Sequence, residues 1–166
     1  MVHRDGKRAD EGAGSAILWL DEGRSPQVLA VIWATIELER ALGDLGPTPD
    51  AAGATVSAAG AVEDPFLGAR VVVVPSHENG IRIALAEPST EGRLAATLAR
   101  NGEGPAGRYV LAPFALAVVE ARAAAANVVL SKPASGPFGP AVLVLGGPAA
   151  GPHLILVDPA AVPSSP

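Results

Sequence analysis

The sequence contains no cysteine, which excludes disulfides, thiolate zinc sites and a cysteine nucleophile together. It has no excess of positive charge: 12 Lys and Arg stand against 17 Asp and Glu, a formal net charge of -5. A nucleic-acid binder needs a basic face that neutralises phosphates, so no nucleic-acid partner is expected. Long hydrophobic runs are missing too. The longest, "QVLAVIWATI" and "VLAPFALAVV", fall short of the ~20 residues of a spanning helix, and no membrane segment is expected. The charged start "MVHRDGKRADEGAG" has no apolar segment directly behind it, so it does not read as a secretory signal and a cytoplasmic location is expected. Aromatics are scarce at 4%.

What is present suits a packed core. Hydrophobic residues make up 49% and charged ones 17% of 166 residues, the opposite of the balance that keeps chains disordered. That length fits one domain, or two small modules sharing a core.

Along the chain, residues 1–14 read as a polar tail and "SAILWL" (15–20) as a short edge strand. "PQVLAVIWA" (26–34) is an apolar, β-branched run and reads as a buried strand. "TIELERALGDLG" (35–46) follows as a helix, with Thr35 as N-cap and Gly46 as its stop. Residues 50–62 hold one poor strand. "GARVVVVP" and "GIRIALAE" are clear strands around "SHENG", whose Asn79-Gly80 is a hairpin signal. A helix over 89–104 is capped by Ser89 or Thr90. Then come the strand "GRYVLAP", the helix "FALAVVEARAAAAN", the strands "VVLSKP", "PAVLVLGG" and "HLILVDP", and a loose tail over 159–166. Strand, helix and three strands thus occur twice, in module 1 (about 26–87) and module 2 (about 107–158), within one domain over 15–158.

That doubled unit carries a family likeness, together with "RIALAEP" before a Leu- and Arg-rich helix, "GEGPAGRYV" and "GPFGPAVLVLGGPAAGPHLILVDP". It resembles the vicinal oxygen chelate superfamily, which includes glyoxalase I, bleomycin-resistance proteins and, nearest in pattern, methylmalonyl-CoA epimerase. The resemblance implies an α+β fold: two βαβββ modules forming a curved mixed sheet around a cavity, commonly in a homodimer. It also implies a divalent metal held by His, Glu or Gln side chains from the first, fourth, fifth and eighth strands. Carried over by residue, these positions fall on Gln27, Ala84, Arg108 and Ile155. Gln27 alone can ligate a metal, and a guanidinium has no lone pair to give. No metal and no other cofactor is therefore expected.

Strand alternation suggests what takes the metal's place. If Ala84 faces the cavity then Arg82 does too, since successive side chains point to opposite faces. The same reasoning brings Gln27, Trp33, Arg108 and His153 towards one site. Two arginines there suit an anionic or carbonyl-bearing ligand, and His153 is the one candidate base. Each residue has a plainer reading as well: Arg82 as a surface partner of Glu78 or Glu87, Arg108 as a solvent-facing strand start, His153 as a rim residue, Gln27 as an ordinary first strand residue and Trp33 as core. The Gly-rich "GEGPAG" and "LGGPAAGP" match no phosphate loop, Ser135 has no legible triad, and "ERALGDLG" is an ordinary amphipathic face. His77 and Glu78 read as solvated hairpin residues. The leading expectation is a metal-free protein that binds a small molecule. An isomerase or lyase working by proton transfer beside a carbonyl is the alternative, and an interaction module with a filled cavity is the third.

Overall fold

The computed structural model describes residues 18–20, 26–49, 53, 55–75, 81–146 and 151–162. The apolar run forms β1 (Val28–Ala34), followed by α1 (Leu38–Leu45). Then come β2 (Val62–Asp64), β3 (Ala69–Val74) and β4 (Arg82–Pro88). Helix α2 (Arg93–Asn101) leads into the second unit. That unit comprises β5 (Gly104–Leu111), α3 (Leu116–Ala125), β6 (Ala134–Gly136), β7 (Gly139–Leu143) and β8 (His153–Val157).

The eight strands form one sheet in the order β2-β3-β4-β1-β5-β8-β7-β6. The modules join at its centre, where β1 pairs antiparallel with β5. Each of these central strands pairs in parallel with the last strand of its own module, β1 with β4 and β5 with β8. The sheet curves until it nearly closes. Its two edges, β2 and β6, come together with Gly136 against Phe66.

Alternation divides the side chains between two faces. On the outer face, Leu38 of α1 covers Val72, Val74 and Leu85, while Leu116 and Val119 of α3 cover Val110, Val142 and Leu156. The inner face carries Ile32, Val71, Ala84, Ala86, Tyr109, Leu143, Ile155 and Val157, with Leu94 of α2 inserted among them.

Several local expectations are corrected. Residues 18–20 form a 3-10 turn rather than an edge strand, because Leu20 is buried in the α3 cluster instead of pairing with a neighbour. Thr35 does not cap α1. The helix starts later, behind Glu37. Amides at and just before its start are taken by carboxylates from distant segments: Ile36 N–H donates to Glu103 (2.8 Å) and Leu38 N–H to Glu87 (3.3 Å). Likewise α2 begins behind Gly92 rather than Ser89 or Thr90, with Leu94 N–H bonded to the Leu67 carbonyl at 3.0 Å. "VVLSKP" forms only a single bridge, Leu130 with Val144. The sixth strand lies just beyond it, in "ASG", where Gly139 at φ 97 lets the chain turn back. The Asn79-Gly80 hairpin signal, with His77 and Glu78, lies outside the described residues.

Candidate functional site

The five residues expected to share a cavity do not meet. Arg82 is half-buried at the inner end of β4, where its Nε donates to the Leu29 carbonyl (3.2 Å) and its guanidinium lies 4.8 Å from the centre of the Phe138 ring. It does not pair with Glu87, which binds Arg70 instead. His153 is also on the inner side, but buried rather than at a rim. Its Nε2 lies 3.0 Å from the Thr97 hydroxyl, which itself donates to the Arg93 carbonyl at 2.9 Å. The imidazole is therefore the donor to Thr97, and this nitrogen is not open to accept a proton from a ligand. Burial, reinforced by the Arg93 charge, lowers the His153 pKa below 6.5 and keeps the ring neutral.

Arg108 and Trp33 lie on the other side of the sheet. Arg108 pairs in register with Val31 and Leu154, and Val31 in turn with Ile83, all on the helix-covered face. Tyr109, one residue on, takes the inward position. Irregularities in the β1–β5 register, between Val28 and Ala30 and between Ile32 and Trp33, make counting by two along β1 from Gln27 unreliable. Gln27 precedes β1 and is exposed. The expected pocket with two arginines is not assembled, because Arg82 and Arg108 are on opposite faces.

The inward positions of the four strands that hold metal in the look-alike superfamily are occupied by Ile32, Ala84, Tyr109 and Ile155. None of the aliphatic side chains can donate an electron pair, and the Tyr109 hydroxyl is committed to Asp64. This set does not fit a divalent metal. Among the described residues no group of three or more His, Asp or Glu is placed to hold one. Among the described residues the centre of the inner face is closely packed. Ile32, Ala34, Ala84, Ala86 and Ile155 have no exposed surface at all, so no space large enough for water touches them.

A buried polar pair without any local sequence signal ties β2 to β5. Asp64 ends β2, accepts the N–H groups of Phe66 (2.7 Å) and Leu67 (3.2 Å) with one oxygen, and takes the Tyr109 hydroxyl with the other. Burial raises the Asp64 pKa, opposed by these three donors. Burial and the Asp64 charge push Tyr109 well above 10.0. Tyr109 also packs on Phe138, with ring centroids 5.0 Å apart, so β2, β5 and the β6–β7 turn are locked together.

An open cleft of about 330 Å³ lies on the outer face instead. Its floor is Trp33, Ile83 and Leu85, its wall Ala41 and Leu45 of α1, and its rim Thr35, Arg40, Asp44 and Glu103. Trp33 and Leu45 are 42% and 47% exposed, which is unusual for large apolar side chains facing one another across a cleft. Glu103 accepts bonds from Thr35 (2.6 Å), Ile36 N–H (2.8 Å) and Arg40 (2.5 Å). These hold its pKa down to about 2. Sequence reasoning treated α1 as an ordinary amphipathic face. The 3.6-residue period that sets Ala41 beside Leu45 was visible, but Glu103 in "NGEG" gave no signal of its own.

This curved eight-stranded sheet, built from two βαβββ units, is the fold of the vicinal oxygen chelate superfamily. Solved structures with it include a methylmalonyl-CoA epimerase variant of Streptomyces coelicolor in complex with 2-nitronate-propionyl-CoA. It is 18% identical, covers 84% of this chain and 98% of its own, and has a TM-score of 0.62. The Mycobacterium tuberculosis methylmalonyl-CoA epimerase is 18% identical over 82% and 93% of the two chains, with a TM-score of 0.61. A hypothetical protein of Bacillus halodurans is 17% identical over 80% and 94%, with a TM-score of 0.57. No family model matches the sequence, and no curated protein matches it.

Proposed function

We propose that this protein is a metal-free, non-catalytic small-molecule-binding protein, built on a fold whose inner chamber has become core. The absence of any exposed surface on Ile32, Ala84 and Ile155 carries this reading. A reacting substrate needs a chamber that admits it and groups that exchange protons with it. Among the described residues the one buried imidazole, His153, is bonded to Thr97.

The second reading is an epimerase-type isomerase, favoured by the methylmalonyl-CoA epimerases among the structural neighbours. One experiment separates the two. Untagged protein is analysed for zinc, nickel, cobalt and manganese, then incubated with methylmalonyl-CoA in deuterated water. We expect no stoichiometric metal and no deuterium at the α-carbon. A metal content near one per chain, or exchange above the uncatalysed rate, overturns the proposal and installs the isomerase. We propose further that the protein forms a homodimer by surface docking. In support, each chain completes its own eight-stranded sheet, while Ile36, Val62 and Val129 are left well exposed.

A further inference from the structure

The geometry points to the Trp33 cleft as a binding site for a flat, apolar organic cation, such as an aromatic ammonium. This rests on the reading of the protein as a binder and gives that reading a place and a ligand class. The floor row is set by the sheet: Trp33 pairs in register with Leu85 on β4 and with Pro105 on β5. Ile83 lies two residues before Leu85 on the same face, so Trp33, Leu85 and Ile83 make a continuous apolar surface. The opposite wall follows from helical spacing. Ala41 and Leu45 are four residues apart on α1 and so stand on one face, with Asp44 beside them at the rim.

The rim charges decide the sign of the ligand. Arg40 is bonded to Glu103 at 2.5 Å and lies 3.9 Å from Glu37. With the Glu103 pKa at about 2, this carboxylate is ionised throughout the neutral range and neutralises Arg40 there. Among the described residues no hydrogen bond engages the Asp44 carboxylate, whose charge acts on Arg40 from a distance while Glu103 holds that guanidinium directly. The lining therefore holds one positive and two negative side chains, with the odd negative charge on Asp44. An exposed indole in one cleft with a carboxylate that no hydrogen bond holds favours a ring that stacks on Trp33 and carries positive charge, through cation–π attraction and pairing with Asp44. An anion would face Asp44 and Glu103 and find Arg40 already held.

The test uses three compounds with the same ring: 1-naphthylmethylammonium, 1-naphthylmethanol and 1-naphthoate. Binding to the full chain is followed by calorimetry and by Trp33 fluorescence in a Trp19→Phe background. We expect the ammonium to bind about three- to tenfold tighter than the alcohol, and the naphthoate to bind weakest. Asp44→Asn should bring the ammonium to the level of the alcohol without altering alcohol binding. Trp33→Ala should weaken both about tenfold or more, and melting curves of both variants check that the fold persists. Equal binding of all three, preference for naphthoate, indifference of the ammonium to Asp44→Asn, or no binding at millimolar concentration each overturns the cleft assignment. None of these outcomes touches the metal and deuterium measurements, so the wider reading stands or falls separately.

Discussion

Tyr109 and Asp64 illustrate how one buried pair can shape both stability and its response to pH. Replacing Tyr109 with Phe keeps the ring on Phe138 but strips a donor from a buried carboxylate. An unsatisfied buried acceptor costs about 1–3 kcal/mol, which chemical denaturation at neutral pH should read directly. The sign of the pH effect follows from burial. The folded-state pKa of Asp64 lies above its ordinary value of 3.8, so the folded protein holds this proton more tightly than the unfolded chain. Its contribution is fully present below pH 3.8 and is lost as pH rises through the folded value. Asp64→Asn should remove that fall, and Tyr109→Phe should move it to higher pH, because the ionised form has lost a donor. If Asp64→Asn leaves the profile unchanged, the carboxylate is not the group responsible. His153 acts in the opposite sense: its lowered pKa gives stability present above pH 6.5 and lost as pH falls through the folded value.

Helix α2 links the modules and also fills them. Leu94 is fully buried among inner-face residues of both modules, and Thr97 reaches His153 on β8. Leu94→Ala should therefore destabilise by about 2–5 kcal/mol, as for other large-to-small changes in a closed core. Leu45→Ala, at an exposed position on α1, should stay within about 0.5 kcal/mol. Equal losses in thermal or denaturant unfolding would show that α2 is not part of the core. The same junction explains a glycine. A β-carbon at Gly107 would lie 2.1 Å from the His153 carbonyl oxygen, so the close approach of β5 to β8 requires its absence.

The sheet nearly closes on itself within one chain, and this bears on assembly. Strands β2 and β6, the sheet's two edges, approach each other within one chain. A dimer has no need of strand exchange and would form by docking of apolar side chains such as Ile36, which is 65% exposed. Light scattering at micromolar concentration is expected to give twice the chain mass, and a monomeric mass overturns the dimer. The described helices include none long and apolar enough to cross a membrane.

By itself, the sequence determined the doubled strand–helix–strand order, most strand positions and the stop of α1 at Gly46. These depend on local chemistry: apolar period, and glycine and proline at turns. It also placed Arg82 and Ala84 on one face correctly, since alternation within a single regular strand is a short-range property. Only the tertiary structure decided that Arg108 points outward and Tyr109 inward, because the pairing of Arg108 with Val31 and of Tyr109 with Ala30 sets the face each takes. It alone decided that Ile32, Ala84 and Ile155 are packed out of reach of solvent, since their cover depends on α2 inserting Leu94 and on β2 approaching β6 across the sheet. Asp64 with Tyr109, Thr97 with His153 and Arg40 with Glu103 are separated by 45, 56 and 63 residues. No local pattern records such pairs. They exist because chain closure brings distant polar groups into one dry space or onto one rim, where each must find a partner.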